Sequence, residues 1–160
     1  MLKRKSIGVL ANNFGNSQLS YSFIRKANDL VKSSLDVDVF GFYGNLANIT
    51  MRPCFSMMQL IEAYSFGGIA IATDLDMLAK LIRCPGPSKK YLYSWDLEWI
   101  RQQPRPQYES LVTLYRHPSI EIVARSLSHK AILENNFNLK GLKVSEDFDL
   151  SVFLSDYSPV

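Results

Sequence analysis

"KSIGVLANNFGNSQLSYSFIRKANDLVKSSLDVDVFGFYG", Lys5 to Gly44, changes its hydrophobic period twice. Lys5 to Asn12 is a compact apolar run of strand length that breaks into the polar loop Asn12-Asn13-Phe14-Gly15-Asn16. From Ser17, a residue type that caps helices, the apolar side chains Leu19, Phe23, Ala27, Leu30 and Val31 recur at helical spacing. Val37 to Gly44 is again strand-like. Strand, helix and strand within forty residues make a βαβ unit, and such a unit commits the chain to a parallel sheet.

The same alternation continues outward. "SMMQLIEAYSF" has the spacing of a helix, and "GGIAIAT" reads as a buried strand. Thr73 or Asp74 can cap the helix "LDMLAKLIR", which "CPGP" stops. "KKYLYSW" is a further strand. Pro104 and Pro106 divide the stretch from Asp96 to Arg116 into two short helical pieces. "SIEIVAR" is a strand, Ser126 caps "LSHKAILENNF", Gly141 ends that helical region, and "LKVSED" supplies a last short strand. The expectation is a single α/β domain over residues 1–153, with a doubly wound, mostly parallel, Rossmann-like sheet and helices on both faces. A polar tail over 154–160 is expected to lie loosely on the surface.

The chain has 160 residues, of which 47% are hydrophobic, enough for a real core. A net charge of +3 with mixed signs along the chain argues against a nucleic-acid binder. The basic start "MLKRK" is followed by too short an apolar run for an export signal, and no run approaches a membrane span. Cys54 and Cys84 match no zinc or redox spacing, which fits reduced thiols in a cytoplasmic protein.

In an open parallel sheet ligands bind beyond the carboxyl ends of the strands. The residues expected there are Asn12, Asn13, Gly15 and Asn16; Tyr43 and Gly44; Thr73 and Asp74; Trp95, Asp96 and Glu98; and Arg125, Ser126 and His129. They form a polar rim suited to a sugar or another hydroxyl-rich ligand. Asp96 is the candidate general base, with Asn12, Asn13, Gly15, Asn16, Thr73, Glu98, Arg125 and Ser126 as substrate-binding candidates. Each has a structural reading as well. Asn and Gly serve turns that need positive φ, Asp96 and Ser126 serve as helix caps, Trp95 and Trp99 serve as core, and Glu98 faces solvent. "NNFGNS" is not a dinucleotide fingerprint, "RSLSH" lacks a nucleophile elbow, and His117 has no companion at metal-ligand spacing. No cofactor or metal is expected.

Taken in order, these pieces resemble the N-terminal, acceptor-side domain of GT-B glycosyltransferases, the family-4-like group in particular. The first strand, Gly-containing loop and long helix are similar to that group's opening, with the single Gly15 where the family has Gly-Gly. "YLYSWDLEW" falls where those enzymes often carry a His-Asp pair, here Trp95-Asp96. "EIVARSLSHKAILENNFNLKGLKVSEDFDLSVF" is similar to the family's strand, Ser-capped helix and "V-I-P-N-G-V-D-x-x-x-F" connection, keeping Val144, Asp149 and Phe153, with Pro and Asn replaced by Ser145 and Glu146 or Asp147 and the Gly lost. The resemblance implies that "KVSEDFDLSVF" is a joint toward a donor-binding domain, and that this chain is an acceptor half. Such a half needs a donor-domain partner or a second domain, and binds a sugar or glycosyl acceptor. The alternative is a non-catalytic descendant of the fold, a binding or assembly module that self-associates or joins a larger complex. A free-standing nucleotide-binding protein of flavodoxin-like topology is a third possibility.

Overall fold

The structure is a computed structural model that describes residues 4–34, 36–49 and 51–157. Its centre is a seven-stranded, wholly parallel sheet. The strands are β1 (Lys5–Ala11), β2 (Val37–Tyr43), β3 (Ser56–Gln59), β4 (Ile69–Ala72), β5 (Lys89–Ser94), β6 (Glu121–Ala124) and β7 (Lys143–Val144). Their spatial order is β3-β2-β1-β4-β5-β6-β7. The chain winds outward from β1 in one direction, then returns to start again on β1's other side at β4. This is the order of a Rossmann-like domain, and it places the topological switch point between β1 and β4. A flavodoxin-like order, with the third strand beside the first, is excluded because β3 lies on the far side of β2.

The apolar residues of β1 alternate between two cores. Ile7 and Val9 pack on one face with Phe23, Ile24 and Ala27 of α1 (Gln18–Ser33), while Leu10 packs on the other. That second face is covered by α2 (Leu75–Arg83), α4 (Tyr108–Tyr115) and α5 (Leu127–Phe137), through Leu78, Leu81, Leu111, Tyr115, Leu133 and Phe137. A one-turn helix, α3 (Glu98–Arg101), precedes the proline-containing link to α4. Ser17, Asp74 and Ser126 cap α1, α2 and α5 by accepting the backbone N–H three residues on.

Because α1 is the α-helix of the first half, its face of the sheet lies open over β4, β5 and β6. The end of the chain closes it. After β7 a single 3-10 turn (Glu146–Phe148) and α6 (Ser151–Leu154) bring Phe148, Leu150 and Phe153 fully under that face, against Tyr91 and Tyr93. Asp147 and Phe148 both hold left-handed φ, 49° and 56°, which is costly for a phenylalanine. Tyr93 stabilises this path from within the core: its hydroxyl donates to Ser145 O at 2.5 Å and accepts Phe148 N–H at 3.2 Å. Asp147 also accepts from Ser22 Oγ and pairs with Arg25, both on α1. "KVSEDFDLSVF" is therefore an integral layer of this domain.

Four expectations change. "SMMQLIEAYSF" is not a helix. Ser56–Gln59 is the edge strand β3, and only Leu60–Tyr64 coils, as a 3-10 turn. α5 ends at Asn138, which is left-handed at φ 51°, and the left-handed Gly141 belongs to the following turn. The tail is not loose over 154–157: Asp156 pairs with Lys89 and Lys143, and Tyr157 lies under Lys5 Nζ at 5.4 Å. Residues 158–160 of that tail lie outside the described residues. Neither Gly15 nor Asn12, Asn13 and Asn16 has a positive φ. Gly15 is required by packing instead, since a Cβ there would meet Ala47 Cβ at 2.9 Å. Cys54 is exposed, Cys84 is buried, and both are free thiols. Among the described residues no helix is long and apolar enough to cross a membrane.

Candidate functional site

At the switch point, beyond the carboxyl ends of β1 and β4, lies a groove of about 520 Å³. Asn12, Asp74, Glu98, Gln102 and Ser110 supply its polar lining, and Leu75 and Leu111 part of its apolar floor. Local chemistry explains how Glu98 arrives there. The chain leaves β5 through Trp95 and Asp96, and Asp96 Oδ1 accepts the N–H of Leu97 at 2.9 Å, turning the backbone into α3. Glu98 is the first residue of that turn, and its two carboxyl oxygens accept Leu75 N–H, at 3.1 and 3.3 Å. Beside it Asp74 Oδ1 accepts Met77 N–H at 2.7 Å.

Two neighbouring carboxyls thus share the start of α2, and among the described residues no salt bridge engages either. Burial pushes Glu98 up to about 7, with the negative charges of Asp74, Asp96 and Asp76 adding to the rise and the Leu75 N–H opposing it. Burial also raises Asp74, partly offset by its bond to Met77 N–H. Behind them the buried Tyr115 phenol is raised by burial and by Glu98's charge. A carboxyl poised near neutral pH in a cleft has the protonation range that proton transfer requires.

Of the sequence candidates, the structure brings Asn12 and Glu98 together in this groove. Asn12 also ties the first two loops, its side chain accepting from Asn45 Nδ2 at 2.9 Å and its carbonyl from Gly44 and Asn45 N–H. Asn13 Oδ1 accepts Gly15 N–H at 3.0 Å, and Asn16 is exposed. Thr73 is buried and donates to Leu10 O at 2.8 Å, stitching β4 to β1. Asp96 does not line the groove: it is engaged by Arg101 at 2.9 Å and by Leu97 N–H. Glu98, expected to face solvent, is half-buried and lines the groove. Arg125 lies over the Trp95 ring at 4.0 Å, and Trp95 packs on the α1 face, whereas Leu97 and Trp99 pack on the opposite one. Ser126 accepts His129 N–H at 3.2 Å as a cap. Asp74, named at the rim from the sequence, lines the groove with Asn12 and Glu98, and Gln102 and Ser110 complete it. No sequence motif marks Gln102 or Ser110, which arrive from α3's end and from α4 only once the proline link has folded.

A larger groove, about 650 Å³, opens at the amino ends of the strands, with Phe40, Phe42, Met58 and Phe66 in its walls. Most of its charged rim residues are engaged with one another or with close neighbours. Lys89 Nζ reaches Asp156 and Glu121 at 3.0 Å each, and Arg4 reaches Asp38 at 3.2 Å. No family model, no curated protein and no solved structure matches the chain.

Proposed function

We propose that the protein binds a hydroxyl-rich glycosyl acceptor in the switch-point groove, as the acceptor-side half of a GT-B-like glycosyltransferase, with Glu98 as the general base. The observation that carries this reading is Glu98 itself: a carboxyl pushed up to about 7, in a groove lined by hydrogen-bonding side chains. At neutral pH it is ionised in about half of the molecules and basic enough to take a hydroxyl proton. In the transfer step the acceptor oxygen forms its bond to the anomeric carbon of the donor sugar. The bond from that carbon to the nucleoside diphosphate breaks, the diphosphate leaves with the electron pair, and the acceptor proton passes to Glu98. The donor belongs to a partner or a second domain. Asn12, Gln102 and Ser110 hold the remaining acceptor hydroxyls. The left-handed Asp147 and Phe148 support the likeness, since they fall in the stretch where the GT-B connection carries its glycine.

A second reading has its own observation. Both Glu98 oxygens accept the Leu75 N–H, so the residue also serves as an additional cap for α2, as it would in a non-catalytic assembly module. Calorimetric titration with a panel of methyl glycosides between pH 6 and 8 separates the two. The acceptor reading expects saturable binding by at least one glycoside, weakened about tenfold by Glu98→Ala, as for loss of a charged hydrogen bond. Asp96→Asn should leave that affinity within about twofold, since Asp96 is spent on Arg101. Folded protein that binds none of the panel would overturn the acceptor reading.

A further inference from the structure

Next to the Glu98 groove lies a second one, of about 390 Å³, lined by Trp99, Ile100, Tyr108 and Phe137 with Arg105 at its side. Pro106 and Leu111 line both grooves, so the two are separated only by the thickness of those side chains. The aromatic groove is preorganised. Tyr108 and Phe137 are near-parallel, 6.1 Å apart at 10°, and Phe137 stacks in turn on Tyr115 at 4.3 Å. Trp99 meets Phe137 edge-on at 5.1 Å, and the Tyr108 hydroxyl is anchored by donating to Asn136 O at 2.7 Å. Despite that fixed geometry, Tyr108 is 61% exposed and Ile100 51% exposed. Tyr108 and Ile100 thus leave apolar surface open to water within a groove whose rings are already fixed.

Resting on the acceptor reading above, we infer that the acceptor is an aryl glycoside: its sugar occupies the Glu98 groove and its aromatic aglycone lies in the Trp99–Tyr108 groove. The polarity of the two chambers divides along the same line as that molecule. Carboxyls and amides line the first, while three aromatic rings and an isoleucine line the second. A flat ring laid against Tyr108 and Ile100 gains offset or edge contacts and removes their apolar surface from water. A peptide or lipid chain fits less well, because near-parallel and edge-on rings already fixed in place favour a flat aromatic partner.

The test compares 4-nitrophenyl and methyl glycosides of the same sugar by calorimetry, on the full chain and on the surface variants Tyr108→Ala and Ile100→Ser. The expected result is about tenfold tighter binding of the aryl glycoside to the unmodified protein, the gain of burying one ring. Tyr108→Ala should erase most of that preference, Ile100→Ser should reduce it, and methyl glycoside affinity should stay within about twofold in both. Equal affinity for the two glycosides, or a preference that survives both variants, overturns the aglycone site and leaves the acceptor reading standing. If neither glycoside binds, the acceptor reading fails and the aglycone site with it.

Discussion

The two ends of the sheet treat a carboxyl in opposite ways. At the carboxyl edge Glu98 is half-buried beside Asp74, with one backbone N–H as its stabilising partner, and is pushed up to about 7. At the amino edge Asp156 receives hydrogen bonds from Lys143 and Lys89, which hold it down at about 2, and the Tyr91 hydroxyl lies 3.3 Å away. One environment leaves a proton free to move near neutral pH, and the other keeps a charge fixed. Desolvation without a counter-ion makes chemistry available, whereas pairing with two lysines makes an anchor. The same comparison explains why the larger groove is not the candidate site: Lys89 and Asp156 on its rim fasten the end of the chain, and the smaller groove has the poised group.

The largest effect should come from the segment that the amino-edge anchor secures. Phe153→Ala removes a fully buried ring packed against Tyr91 and Tyr93. A loss of about 3–5 kcal/mol in urea unfolding is expected, and a change under about 0.5 kcal/mol would mean that the segment does not pack as part of the core. Next is the titration of Glu98. Its folded pKa lies above the unfolded value of 4.5, so between about 4.5 and 7 the folded state binds the extra proton and stability falls as pH rises. The fall should be about 1–2 kcal/mol, less than the whole shift implies because water still screens the carboxyl. Glu98→Gln should flatten this limb, and an unchanged slope would mean that Glu98 titrates as an ordinary surface carboxyl.

A smaller change, confined to acid, is expected at the other end. Asp156 has a depressed folded pKa, so its contribution is present above about 3.8 and is lost as pH falls toward 2. Asp156→Asn should remove that acid limb while leaving the slope between pH 4.5 and 7 intact. If instead it altered the neutral limb, the two edges would be coupled and the contrast between them would fail.

β3 shows where reading the chain in one dimension stops. Met57, Met58, Leu60 and Ile61 have the spacing of a helix, and nothing local distinguishes a four-residue edge strand from a helical turn. What makes Ser56–Gln59 a strand is its pairing with Phe40–Tyr43. That one assignment also sets the topology: with β3 taken as a helix the remaining strands would run in flavodoxin-like order. Glu98 failed to stand out for a related reason. Its neighbour Asp96 directly follows the strand and looked the better base, but the turn that Asp96 builds spends it locally and delivers Glu98 to α2, 23 residues away in sequence. The rim positions were readable because a strand's end is a local event. Which of them converge was not, because convergence depends on strand order and on the side of the sheet each loop falls.

By itself the sequence determined the alternation of strand and helix, the capping residues Ser17 and Ser126 with Thr73 or Asp74 between them, and hence a parallel α/β domain. Period and capping involve only neighbours a few residues apart, and such information survives in a linear chain. Only the tertiary structure decided that "KVSEDFDLSVF" covers the sheet, that Glu98 and not Asp96 is the poised carboxyl, and that an aromatic chamber adjoins it. Those outcomes depend on burial and on charges brought together across the fold, and neither exists until the chain has closed on itself.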